Sequence, residues 1–314
     1  MGTYFVKRLG LSAAILVTAV LALFSLIYVV PGDPATIALG PRATAEQKEI
    51  FRERMGLDQP LPVQATRFVT QILQGDLGTD ILTQRPVSTL VFAALPRTVT
   101  LALVGLGWAI LLGIPLGVWS ALRPDSWIDR LIGVFSTSVI ALPSFLVAIY
   151  ALVLFAVTLR WFPAIGAGEV DDLGDQIRRL VLPAFAIGLA WVGYIARLVR
   201  AAMLEALTES HVRTYRAFGV SDLRIALRFV LPIALVPVIA VLGVGLGNLL
   251  SGAVLVEVVF ARPGLGSLAH DAVMSRNFPV LLGTVVVTTG LYVIANLISD
   301  MLVAVLDPRI RQEG

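Results

Sequence analysis

Six apolar stretches divide the chain, at about Leu9–Val30, Thr98–Leu122, Leu131–Leu159, Leu180–Leu204, Leu231–Val256 and Val280–Leu306. Each is long enough to cross a hydrocarbon core of about 30 Å at about 1.5 Å per residue. None shows the alternation over roughly ten residues that a barrel strand requires. Backbone groups find no water in lipid, so the pattern predicts α-helices, apolar on every side. Lys7 and Arg8 precede the first run, and PGDPA follows it where a cleaved leader would carry a small-x-small site. The run is also about twice as long as a signal-peptide core, so it predicts a retained span.

The polar segments carry their own patterns. Within residues 31–97, Thr44 and Gln47 match a capping box and Gly56 suits the residue after a helix end, which predicts a helix over Thr44–Met55. Asp58–Pro62 reads as a rigid turn. Pro62 opens a second helix ending at Gly75, with Phe68, Val69, Ile72 and Leu73 on its apolar face. The segment is expected to be a helical cap on the span bundle with no ligand role. The second polar segment, Glu205–Val230, follows the fourth run. Its helix is expected to continue to about Ala217 and break at Gly219, after which Ser221 caps a short helix leading to Pro232. Arg197 and Arg200 share the face before it and can reach the headgroups, Glu205 or Asp300. Two short helices meeting at a glycine make a knob about 10–12 Å across, suited to a groove on a partner.

Inside the apolar runs, Gly113-x-x-x-Gly117 and Gly243-x-x-x-Gly247 predict close helix approach. Pro115 and Pro143 predict bends. The polar residues there are Asn248, Glu257, Asn296 and Asp300. Asn248 lies deepest and is expected to face another helix or a wet path; with Glu257 it is the candidate path lining.

Composition sharpens the class. The chain is 57% hydrophobic and 14% charged, against roughly a quarter charged in soluble domains. This is an integral membrane protein. There is no cysteine, hence no disulfide, thiol nucleophile or thiolate zinc site, and His211 and His270 alone cannot build a His-rich metal site. The only lysines, Lys7 and Lys48, do not follow glycine, so no phosphate-binding G-K-[ST] loop exists and energy must come from outside the chain. An even number of spans puts both termini on one side. Short loops there hold twelve basic residues (Lys7, Arg8, Arg123, Arg130, Arg197, Arg200, Arg213, Arg216, Arg224, Arg228, Arg309, Arg311), against five opposite (Arg160, Arg178, Arg179, Arg262, Arg276). The positive-inside tendency predicts cytoplasmic termini and a cytoplasmic 205–230 loop.

The segment Arg213-Thr214-Tyr215-Arg216-Ala217-Phe218-Gly219, with Pro237 eighteen residues after the glycine, resembles the cytoplasmic signature of permease subunits of bacterial ATP-binding-cassette importers. That signature reads roughly RTARAKG. The chain is most similar to the B-type permease of the dipeptide, oligopeptide and nickel branch. Pro31–Pro34, Met55–Leu61, Gly75–Gly78, Glu257–Gly266 and Leu306–Ile310 carry the likeness along almost the whole chain. It departs at Tyr215 for a small residue, Phe218 for Lys, Phe229 for His, Ile233 for Asn and Arg262 for Trp.

The resemblance implies an all-α membrane protein with six transmembrane helices in the type I importer permease fold. A first span (1–30), a helical extracytoplasmic insertion (31–97), a five-span core (98–306) and a cytoplasmic tail (307–314) are expected. It implies a heterodimer with a homologous C-type permease, two ATPase subunits that bind the ATP and magnesium, and an extracytoplasmic substrate-binding protein. This chain would be a non-enzymatic subunit of the bacterial inner membrane, importing short peptides, with Arg213–Gly219 as the ATPase-coupling loop. Nickel chelates, glutathione or another small solute are the alternatives within the family; an ATP-independent carrier, or a scaffold that transports nothing, lies outside it.

Overall fold

The computed structural model describes the backbone of residues 2–29, 36, 44–55, 58–169 and 171–306. Among these residues the regular secondary structure is all helical, apart from one isolated bridge between Thr79 and Pro86. The helices are α1 (Gly2–Val29), α2 (Ala45–Met55), α3 (Leu61–Leu73), α4 (Val87–Leu122), α5 (Trp127–Ala141) and α6 (Ser144–Ala151). They continue with α7 (Leu173–Leu207), α8 (Ser210–Ala217), α9 (Asp222–Ile225), α10 (Leu231–Val259), α11 (Leu265–Met274) and α12 (Phe278–Leu306). The described residues hold four helices long and apolar enough to cross a membrane, or five if α5 and α6 make one broken span. Six were expected. The apolar stretches Leu9–Ala22 of α1 and Gly245–Val259 of α10 are shorter than a span by themselves.

Two elements differ from the expectation for physical reasons. The third apolar run is not one helix: α5 and α6 meet at an angle of 100°. Leu142 and Pro143 are extended at the break, because proline disfavours helical geometry in the residue before it. α6 then widens into a π-helical turn over Leu152–Thr158. The second expected span, α4, starts at Val87, eleven residues before the expected Thr98. Pro86 sits just before its first turn, and Pro96 is carried inside the helix without a break.

The chain divides into two compact units. One comprises Val99–Arg262 and the segment from Ala295 onward. α7 is its axis, with α5, α6 and α10 packed on it. Glycine makes the seam between α4 and α7. A Cβ on Gly113 would stand 2.8 Å from Ile195 Cβ, and one on Gly117 2.5 Å from the Ala196 carbonyl oxygen. Trp108 Nε1 donates to Ala184 O at 2.7 Å along the same seam. Gly243 of the second expected pair faces Ser299.

The other unit comprises Gly2–Thr98 and Pro263–Ile294. α2 begins directly after Thr44, whose carbonyl accepts from Lys48 N–H at 3.1 Å. The side chain of Gln47, and Gly56, lie outside the described residues. α3 ends as expected at Gly75 (φ +80°), where Gly75 and Asp76 N–H donate to the Ile72 and Gln71 carbonyls. Of its expected apolar face, Val69 and Ile72 are half-buried, Leu73 is exposed, and the Phe68 side chain is not among those described. Val87, Val91, Ala94, Leu265, Ala272 and Val280 form this unit's core.

A tight turn at residues 75–86 docks there through Asp80. Its buried carboxylate accepts from the Thr83 hydroxyl, Leu82 N–H and Asn277 Nδ2. Burial alone would raise the carboxyl; these hydrogen bonds outweigh it and hold it below its ordinary value. The stabilisation is therefore fully present above about pH 4 and fades as pH falls through the lower folded value. Asp80→Ala is expected to cost about 1–3 kcal/mol by stranding Asn277, read as a lower midpoint in thermal unfolding of the solubilised protein. A variant as stable as the parent at pH 7 contradicts this.

Candidate functional site

The 205–230 segment begins where α7 ends. The helix does not continue to Ala217. Thr208 turns its hydroxyl and its N–H onto the Glu205 carbonyl, and Glu209 is extended, so a new helix, α8, starts at Ser210. α8 ends at Gly219 as the sequence predicts. Gly219 N–H donates to Arg216 O at 2.9 Å and Val220 N–H to Tyr215 O at 3.1 Å, the paired bonds of a Schellman cap. Such a cap needs a left-handed residue, and Gly219 has φ +77°.

Ser221 takes the N-cap position of α9, but its side chain makes no capping bond. Asp222 is held instead by Arg216, Nε to Oδ1 at 2.9 Å, across the turn. α9 is not a separate helix leading to Pro232. It passes through a π-helical turn, Ala226–Val230, directly into α10. The wide turn falls just before Pro232, which has no N–H to offer the regular ladder.

The loop has a sealed inner face and an open outer one. Val212, Ile225, Ala226 and Val230 are fully buried against Val118, Ala121, Val199 and Met203. Tyr215 stacks on Phe229 with ring centroids 4.2 Å apart and planes 23° apart. His211 meets the edge of Tyr215. Two residues read separately as departures, Tyr215 and Phe229, thus form one contact across the turn. Arg213, Thr214, Arg216, Ala217 and Gly219 are exposed, and Phe218 at the tip is 81% exposed.

The structure separates the remaining predicted residues from this loop. Arg197 is exposed on α7. Arg200 does not hold Glu205. Its Nε and NH2 grip both oxygens of Asp129 at 2.6 Å each. Asp129, buried in the first turn of α5, was not singled out by the sequence; the available signal was two carboxylates, Asp125 and Asp129, between the basic residues Arg123 and Arg130. The Asp300 side chain lies outside the described residues. Asn248 is exposed on α10, whereas Glu257, farther along that helix, is fully buried beside Val256 and Phe260.

With this geometry in hand, the comparisons with known proteins bear on the whole chain. Residues 113–312 match the model of the binding-protein-dependent transport system inner membrane component. Residues 1–102 match the N-terminal model for membrane components of the same systems. The probable D,D-dipeptide transport system permease protein DdpB of Escherichia coli is 39% identical, over 93% of this chain and 92% of that one. The glutathione transport system permease protein GsiC of Salmonella typhimurium is 36% identical over 99% of both chains. The oligopeptide transport system permease protein AppB of Bacillus subtilis is likewise 36% identical over 99% of both. Among solved structures, the inward-facing MetNI methionine ABC transporter aligns with a TM-score of 0.56 at 18% identity, covering 69% of this chain and 95% of that chain.

Proposed function

The chain belongs to the binding-protein-dependent transport system inner membrane components, as a permease of an ATP-binding-cassette importer, and on that premise we propose that it forms half of an import path for short peptides. The family brings ATPase and substrate-binding partners with it. The second permease is a homologous C-type subunit, and both termini and the 205–230 loop face the cytoplasm. ATP and magnesium bind the ATPases, and this chain catalyses nothing. Dipeptide, oligopeptide and glutathione transport are named for its relatives. Glutathione is itself a small peptide, so these substrates share amide-linked backbones with charged ends. Asn248 and Glu257 are the polar residues proposed for the path.

One observation carries the mechanism: the loop is packed behind and open in front. Its inner face is fully buried, while Arg213 to Gly219 present Phe218 outward. A partner that grips Phe218 moves α7, α4 and α10 together, because the buried face leaves no slack. ATP-driven closure of the ATPases pulls on this grip and the spans alternate access. An exposed aromatic of this size is the residue type that anchors interfaces.

Phe218→Ala is expected to cost about 2 kcal/mol of ATPase attachment, roughly 30-fold in dissociation constant. The measurement is retention of the ATPases by the tagged permease pair in a detergent titration, alongside peptide uptake in proteoliposomes. Unchanged retention and uptake would remove Phe218 from the interface. Competition by dipeptides, longer peptides, glutathione and a nickel chelate identifies the substrate class; uptake of the chelate alone would refute the peptide assignment.

A further inference from the structure

Asp129 receives four donors on one buried carboxylate. Arg200 Nε binds Oδ1 and Arg200 NH2 binds Oδ2, each at 2.6 Å. The Ser120 hydroxyl also donates to Oδ1, and the Asp125 N–H donates to Oδ2 at 3.0 Å. Asp125 itself has φ +60°, a left-handed conformation that points its N–H inward. The Ser126 hydroxyl accepts from the Asp129 N–H. The cluster therefore ties the last turn of α4, the first turn of α5 and a position two turns before the end of α7.

An ion pair with a buried carboxylate and a half-buried guanidinium is a poor device for stability alone. Replacing such a pair with well-packed apolar residues is commonly neutral or stabilising, because desolvation offsets the attraction. What the fork does supply is direction. Two parallel hydrogen bonds fix both distance and angle, whereas apolar ridges can slip to a neighbouring fit. The position of the fork gives that direction a use. α7 leads within two turns into the loop that carries Phe218. α5 leads to the 100° break at Leu142–Pro143 and on to α6. α5 packs along α7, and at one close approach a Cβ on Gly193 would meet Ser136 O at 2.7 Å and Val139 Cγ2 at 2.6 Å. That packing is apolar and backbone contact without a fixed angle; the ion pair two turns away adds a directed bond between the two helices.

We infer that the Asp129–Arg200 pair, braced by Ser120, is the joint that makes the bent pair α5–α6 follow the motion of the 205–230 loop. Both residues are positioning residues and neither touches substrate. The inference rests on the coupling role proposed above.

The test is the double variant Asp129→Leu with Arg200→Met, purified as the full complex with its ATPases and second permease. The apolar pair is expected to assemble and melt at least as well as the unaltered complex, with the same basal ATPase rate. Stimulation by the loaded binding protein and peptide uptake are expected to fall at least tenfold. Asp129→Asn, which keeps the shape and removes the charge, is expected to show the same uncoupling to a smaller degree. Coupled uptake within twofold of the unaltered complex would falsify the inference. So would loss of uptake that merely tracks loss of assembled complex in both variants, since the pair would then only hold the fold. Failure of the unaltered complex to import peptide strikes the proposed function and leaves the joint to be judged by ATPase stimulation alone.

Discussion

Proline at position 219 is expected to reduce coupled peptide uptake by at least a hundredfold. Gly219 has φ +77°, and a proline ring holds φ near about −65°. The substitution also removes the N–H that donates to Arg216 O at 2.9 Å. The chain then leaves α8 in another direction. Tyr215 and Phe229 separate, as do Arg216 and Asp222, because each pair spans this turn. Nothing stands within 4 Å of a Cβ at this glycine. Gly219→Ala therefore carries only the left-handed penalty, about 1–2 kcal/mol, and is expected to leave most transport intact. The contrast between the two variants separates backbone direction from bulk. Uptake and binding-protein-stimulated ATP hydrolysis in reconstituted complex are the readouts. A proline variant that transports like the parent would show that the ATPases grip the permease elsewhere.

What the sequence made legible, and what it hid, follows the range of the interactions involved. The four long apolar helices were readable because lipid imposes length and composition residue by residue. Gly219 was readable because a helix stop is written locally. The seam glycines Gly113 and Gly117 were readable as a spacing, but their counterparts Gly105 and Gly188 were not. Each of those would, with a Cβ, press against the other helix: Gly105 against Ile187 and Gly188 against the Gly105 carbonyl oxygen. Which helix face meets which is decided by packing. The angle between α5 and α6 was hidden for a different reason. Leu131–Leu159 carries no charge, and hydropathy carries no direction; Pro143 marked the place and not the size of the bend.

The candidate site shows the same division. The end of α8 at Gly219 came from a local signal; its start at Ser210 did not, because the preceding helix was expected to run on to about Ala217. The Asp129–Arg200 pair did not, because it joins residues 71 apart in sequence. Sequence gives no measure of which distant charges meet, and Arg197 and Arg200 were expected to reach the headgroups, Glu205 or Asp300 rather than Asp129. The Tyr215–Phe229 stack was hidden in the same way. Each residue alone read only as a departure from the family pattern. Together they clamp α8 to the turn before α10, and their aromatic character points inward rather than toward the partner.

The largest loss of folded protein is expected at that glycine seam. A Cβ on Gly117 would lie 2.5 Å from Ala196 O, 2.7 Å from Val199 Cβ and 3.0 Å from Val199 Cγ1. A backbone oxygen and a β-branched side chain cannot turn aside as a flexible chain end can. Gly117→Leu must therefore push α4 and α7 apart, at a cost of about 3 kcal/mol or more. The displacement spreads along the seam. It would lengthen the Trp108–Ala184 bond, now 2.7 Å, and pull Ser120 away from Asp129. Gly107 is the control on the same helix. It is exposed, with nothing within 4 Å of a Cβ, so Gly107→Ala is expected to be neutral or to stabilise by up to about 1 kcal/mol through helix propensity. Monodisperse yield after solubilisation and the unfolding midpoint of the assembled complex decide the matter. If Gly117→Leu melts with the parent while Gly107→Ala falls, α4 and α7 do not meet along this face.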